Sequence, residues 1–108
     1  MTDPRPTALR MRLLPGAADE YRRRHDAIWP ELAAALRAAG VSDYTIHLDE
    51  GDGVTLFAVL TVAEPARHAA LSEEPVMRRW WDHMRDLMET DDEGRPSVWP
   101  LARVFDLP

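Results

Sequence analysis

The segment DYTIHLDEGDGVTLFAVLTV, residues 43–62, decides the fold. Its first half alternates, with Tyr44, Ile46 and Leu48 on one side, as a half-buried strand does. GDG at 51–53 is a turn signal, and VTLFAVLTV returns as a second strand, so the pair reads as a β-hairpin. The second strand is apolar on both faces: Leu56, Ala58, Leu60 and Val62 on one, Phe57 and Val59 on the other. An antiparallel strand of that kind needs cover on both sides. A helical layer supplies one cover. A second copy of the chain is expected to supply the other, which makes the protein a homodimer.

Upstream, MTDPRP (1–6) reads as a loose N-terminal leader. TALRMRLL (7–14) sets Leu9, Met11 and Leu13 against Arg10 and Arg12, as in another half-buried strand. Pro15-Gly16 breaks the pattern, and a helix is expected from about Ala17 to Gly40. Its stripe is Tyr21, His25, Ile28, Leu32, Ala35, Leu36 and Ala39. Pro30 lies inside this run, where its ring meets the carbonyl of Asp26, so the helix should bend or restart after His25. The arginines between Tyr21 and His25 read as a solvated face.

Downstream, ARHAAL (66–71) is a short helix, and EEPVMRRWWDHMRDLME carries the stripe Met77, Trp80, Trp81, Met84, Leu87 and Met88. VWPLARVFDLP closes the chain as an expected last strand, with Leu101 to Leu107 alternating. The order β-α-β-β-α-β is that of the α+β ferredoxin-like fold, an antiparallel sheet with helices on one face. Residues 7–108 are read as one domain, which suits a chain of 108 residues.

Composition removes several kinds of function. A net charge of −6 argues against nucleic acid, and nothing calls for an anionic membrane. No apolar run reaches spanning length and MTDPRPTALR lacks a signal segment, so a cytoplasmic location is expected. The chain has no Cys and no Lys, which excludes thiolate chemistry and a lysine Schiff base. Proton chemistry falls to 4 His, 2 Tyr and the carboxylates. No His or Cys spacing suggests a metal site, and no glycine-rich phosphate loop is present.

Tyr21 and His25 lie one turn apart on one helix face, an arrangement suited to acid–base work near neutral pH. Alone, a histidine on an apolar stripe reads as a core residue bonded to a carbonyl. Tyr44 should look back at the helices, however, and Trp80 and Trp81, about 100° apart on a helix, are placed to wall a cleft. Indole walls suit the C–H faces of a pyranose, and phenols suit its hydroxyls. His47 falls on the opposite strand face. His68 has no neighbouring ligand set, and His83 sits turned off the stripe.

YRRRHDAIWPEL, SDYTIHLD, PVMRRWWDHM with DLM, and RPSVWPLARVFDLP together resemble the L-rhamnose mutarotases, from about Leu9 to the C-terminus. The resemblance implies a dimeric α+β barrel that interconverts the α and β anomers of L-rhamnose without metal or organic cofactor. It implies His25 as proton donor, and Tyr21, Tyr44, Trp80 and Trp81 as substrate-binding residues. His47 and His83 stand where the family more often has an aromatic residue, so His83 bears on the pocket edge. In the reaction expected, protonated His25 serves the ring oxygen. The base stays open between a tyrosine phenolate, which is costly, and a water or a polarising hydrogen bond. Two alternatives remain: the same chemistry on L-fucose or another 6-deoxyhexose, and a non-catalytic dimeric ligand-binding domain.

Overall fold

A computed structural model of the chain describes residues 6–108. Most of the expected leader lies outside the described residues, and its last residue, Pro6, already opens the first strand. Four strands, β1 (Pro6–Arg12), β2 (Val41–Leu48), β3 (Thr55–Val62) and β4 (Trp99–Leu101), form one antiparallel sheet in the order β2-β3-β1-β4. With helices α1 (Ala18–Asp26), α2 (Pro30–Ala38), α3 (Pro65–Ala70) and α4 (Pro75–Met84), this is the ferredoxin-like arrangement expected from the sequence. Short 3-10 turns at Leu71–Glu73 and Arg85–Leu87 follow α3 and α4.

The β2–β3 hairpin forms where the sequence places it. Asp52 accepts hydrogen bonds from the amides of Val54 and Thr55, both at 2.9 Å, and from the Thr55 hydroxyl. These donors lower its pKa to about 2 and hold the turn closed. Leu56, Ala58 and Leu60 are buried beneath the helices with Met11 and Leu13. Leu56 and Ala58 pack with Met11 and Leu13 against Leu32, Val76, Met77, Trp80 and Met84 in one core. Phe57 and Val59 are half-buried on the other face of the sheet.

Alternation alone does not describe β2. Asp43 and Tyr44 together stand opposite the single residue Leu60, because the register shifts between Ser42 and Thr45. Asp43 sits in the left-handed region at φ 50°, which a short polar residue tolerates better than a branched one. The extra residue of this bulge lets Val41, before it, and Ile46, after it, both face the core.

The break expected after His25 is a restart, and the run from Ala17 to Gly40 holds two helices. Pro30 is the first residue of α2, where its missing N–H costs nothing. Its ring biases the preceding residue away from helical geometry, and Trp29 is extended, at φ −64° and ψ 129°. α2 is followed, after its cap Ala39, by Gly40, whose φ of 85° suits glycine and whose missing Cβ leaves room for the Glu64 amide.

The last strand is also shorter than its alternation suggests. Only Trp99 to Leu101 pair with β1, and residues 102–108 leave the sheet. Val104, Phe105 and Leu107 are 95%, 75% and 81% exposed. Alternation records which residues seek burial. It does not say that a strand of the same chain provides it.

Candidate active site

The last turn of α1 and the second half of α4 meet through aromatic rings. His25 lies 4.3 Å from the Tyr21 ring between centroids and edge-on to Trp80 at 5.3 Å. Trp29, turned out of α1 by Pro30, meets Trp80 edge-on at 5.1 Å. His83 lies 5.4 Å from Trp29 and 5.6 Å from Trp80. Trp80 is therefore the hub, with His25 on one side and Trp29 with His83 on another.

The backbone fixes the imidazole of His25. Its Nδ1 lies 3.1 Å from the carbonyl oxygen of Tyr21. A carbonyl only accepts, so Nδ1 carries the proton and Nε2 keeps its lone pair. Burial lowers the His25 pKa below 6.5, and the Tyr21 carbonyl and Asp26 oppose that shift only in part. The neutral ring is the resting form at neutral pH.

The phenols are held in their protonated form. Tyr21 is 7% exposed, and burial, with a smaller contribution from Tyr44, pushes its pKa well above the usual value. Tyr44 leaves 40% of its surface to solvent, yet its hydroxyl is placed so that burial raises its pKa as well. Both are hydrogen-bond donors rather than phenolates.

Trp81 is the candidate that does not join this cluster. It packs partly against the core and lines a surface groove with Arg78, Asp82, Arg85, Glu93, Gly94 and Arg95. One position along a helix is enough to turn the second indole away from the first. His47 pairs across the sheet with Phe57 on the outer face, away from the cluster. Trp29 was not a sequence candidate, although the Trp-Pro pair was a signal of an extended residue at a helix start. His83, placed off the stripe by periodicity, nonetheless packs on Trp29 and Trp80. Arg24 departs further from its expected solvated role. Its side chain is 18% exposed against 77% for Arg23, and it bridges Glu20, Asp86 and the His83 carbonyl.

A helix-covered antiparallel sheet, with His25 held between Tyr21 and Trp80, defines a small α+β protein of the ferredoxin-like class. The chain belongs to the L-rhamnose mutarotase family, whose model matches residues 7–107. It is 62% identical over 100 residues to an L-rhamnose mutarotase of Burkholderia ambifaria, covering 93% of this chain and 95% of the relative. The crystal structure of an L-rhamnose mutarotase from Formosa agariphila superposes with a TM-score of 0.87 at 36% identity, covering 96% of this chain and 99% of that one. A Pseudomonas aeruginosa protein, 18% identical with a TM-score of 0.64 over 97% of this chain and 98% of its own, shares the fold.

Proposed function

We propose that this protein is an isomerase that interconverts the α and β anomers of L-rhamnose, with His25 as the proton carrier. Relatives bearing that name are 55% to 62% identical over 93% of the chain. The observation that carries the residue assignment is the Nδ1 contact of His25 with the Tyr21 carbonyl. It leaves Nε2 as the nitrogen available to a ligand beside Trp80.

Ring opening breaks the bond between C1 and the ring oxygen and turns the anomeric C–OH into an aldehyde. One proton leaves the anomeric hydroxyl and one reaches the ring oxygen, so the net change is a proton shift between two oxygens on the same carbon. Neutral His25 takes the anomeric proton on Nε2, and the imidazolium so formed donates it to the ring oxygen. His25 thus remains the donor to the ring oxygen, while its first act is that of a base, because burial favours the neutral ring. Rotation about C1–C2 and reversal of both transfers close the other anomer. Tyr21 and Tyr44 donate hydrogen bonds to the sugar oxygens. Trp80 stacks on a C–H face of the sugar. Acid–base assistance of this kind supplies about a hundred- to ten-thousand-fold.

The working form is a homodimer. Support comes from the outer sheet face, where Phe57 and Val59 of β3 and Trp99 and Leu101 of β4 flank Arg10 and Ala8 of β1, and from the apolar tail at Val104, Phe105 and Leu107. We place the reaction in the cytoplasm. Among the described residues no helix is long and apolar enough to cross a membrane.

The test is anomer exchange by NMR on a panel of L-rhamnose, L-fucose and other 6-deoxyhexoses, with wild type and His25→Ala. Fastest exchange on L-rhamnose, lost in the variant, is the expected result. Faster exchange on another 6-deoxyhexose would reassign the substrate. Binding without acceleration would make this a ligand-binding domain.

A further inference from the structure

The most heavily bonded charged side chain in the described structure is Arg24, immediately before His25. Its Nε donates to Glu20 at 2.8 Å, inside α1. Its Nη1 donates to the His83 carbonyl at 2.6 Å and to Asp86 Oδ1 at 2.8 Å, and its Nη2 donates to Asp86 Oδ2 at 3.1 Å. The contact with Asp86 is the two-pronged guanidinium–carboxylate fork, which fixes orientation as well as distance.

The place where this fork lands gives it a role. His83 is in the last turn of α4, so its carbonyl is one of those without an intrahelical partner. A cation there also meets the negative end of the helix. Trp80 sits one turn earlier on the same helix. At the other end, Arg24 is joined by one peptide bond to His25, in the last turn of α1.

We infer that Arg24 is a positioning residue. Its guanidinium ties the turn that carries His25 to the turn that carries Trp80 and His83, and so sets the imidazole against the indole. It touches no reacting atom in this account and acts through His25. A displacement of about 1 Å in a proton-transfer group is enough to cost about a hundredfold in rate. This inference uses the mutarotase reading for its kinetic readout, and a second readout is independent of activity.

The experiment compares Asp86→Ala, Glu20→Ala and Arg24→Lys in the full chain. Asp86→Ala removes the fork between elements, whereas Glu20→Ala removes only the contact within α1. Asp86→Ala should lower kcat on L-rhamnose about tenfold with KM within about twofold, and Glu20→Ala should leave kcat within about twofold. Arg24→Lys keeps the charge without the planar fork and should fall between wild type and Asp86→Ala. In the same samples, Asp86→Ala should move the NMR shifts that the Trp80 ring current imposes on the carbon-bound protons of His25. Glu20→Ala should leave those shifts in place. Equal effects of the two alanine variants on kcat and on those shifts, or no effect of Asp86→Ala on either, would overturn the inference. If wild-type protein fails to accelerate anomer exchange, the functional reading falls, and the ring-current comparison still decides the role of Arg24.

Discussion

The imidazole of His25 stands edge-on to the indole of Trp80, 5.3 Å between centroids and 89° between planes. One ring comes from α1 and the other from α4, and neither helix supplies a site alone. The contact excludes water from one side of the imidazole while the Tyr21 carbonyl occupies Nδ1. In the proposed cycle the remaining nitrogen, Nε2, is the one through which protons pass.

Burial lowers the His25 pKa below 6.5, and the neutral ring starts the proposed cycle. kcat/KM on L-rhamnose should therefore be flat through neutral pH and fall as pH drops through that lowered pKa. Stability should follow the same sign. The unfolded chain takes up the His25 proton at a higher pH than the folded one, so folding free energy is lost as pH falls below about 6.5. Urea unfolding from pH 7 to pH 5 should show a shallower decline in His25→Phe than in wild type.

Trp29 and Trp80 touch, whereas Trp81 lies apart from Trp29 on the groove side of α4. A double-mutant cycle on unfolding free energy with Trp29→Ala and Trp80→Ala should give a coupling of about 0.5–1.5 kcal/mol. The cycle pairing Trp29→Ala with Trp81→Ala should be additive within about 0.5 kcal/mol. Coupling of equal size in both cycles would contradict the arrangement described.

Pro30 begins a helix instead of interrupting one. Replacing a mid-helix proline would stabilise the chain. Replacing one that fits its first-turn site frees the unfolded state, so Pro30→Ala should destabilise by about 0.4–1 kcal/mol. Chemical denaturation gives the sign directly.

Phe105 is 75% exposed in one copy, so a charge there does not disturb that copy's own core. Phe105→Asp should stay folded by circular dichroism, and sedimentation should show its dimer dissociating at concentrations where wild type remains paired. A wild-type chain that sediments as a monomer would remove the homodimer from the proposal.

Much of this was legible in the sequence because it is set by local periodicity. The hairpin at 43–62 and the β-α-β-β-α-β order follow from patterns of two and of about three and a half residues. Tyr21, His25 and Trp80 could be placed on their faces by the same counting. The role assigned to His25 and the family likeness came from motif identity. The tertiary structure decided what spacing leaves open. Pro30 restarts a helix, and Trp29 before it packs edge-on against Trp80. Trp81 parts from Trp80 because one helical step turns its ring elsewhere. Arg24 becomes a half-buried clamp because Asp86 and the end of α4 lie across from it, a meeting that no count along α1 contains. Periodicity fixes the side of an element on which a residue lies. Its partners on that side are fixed only when the elements pack.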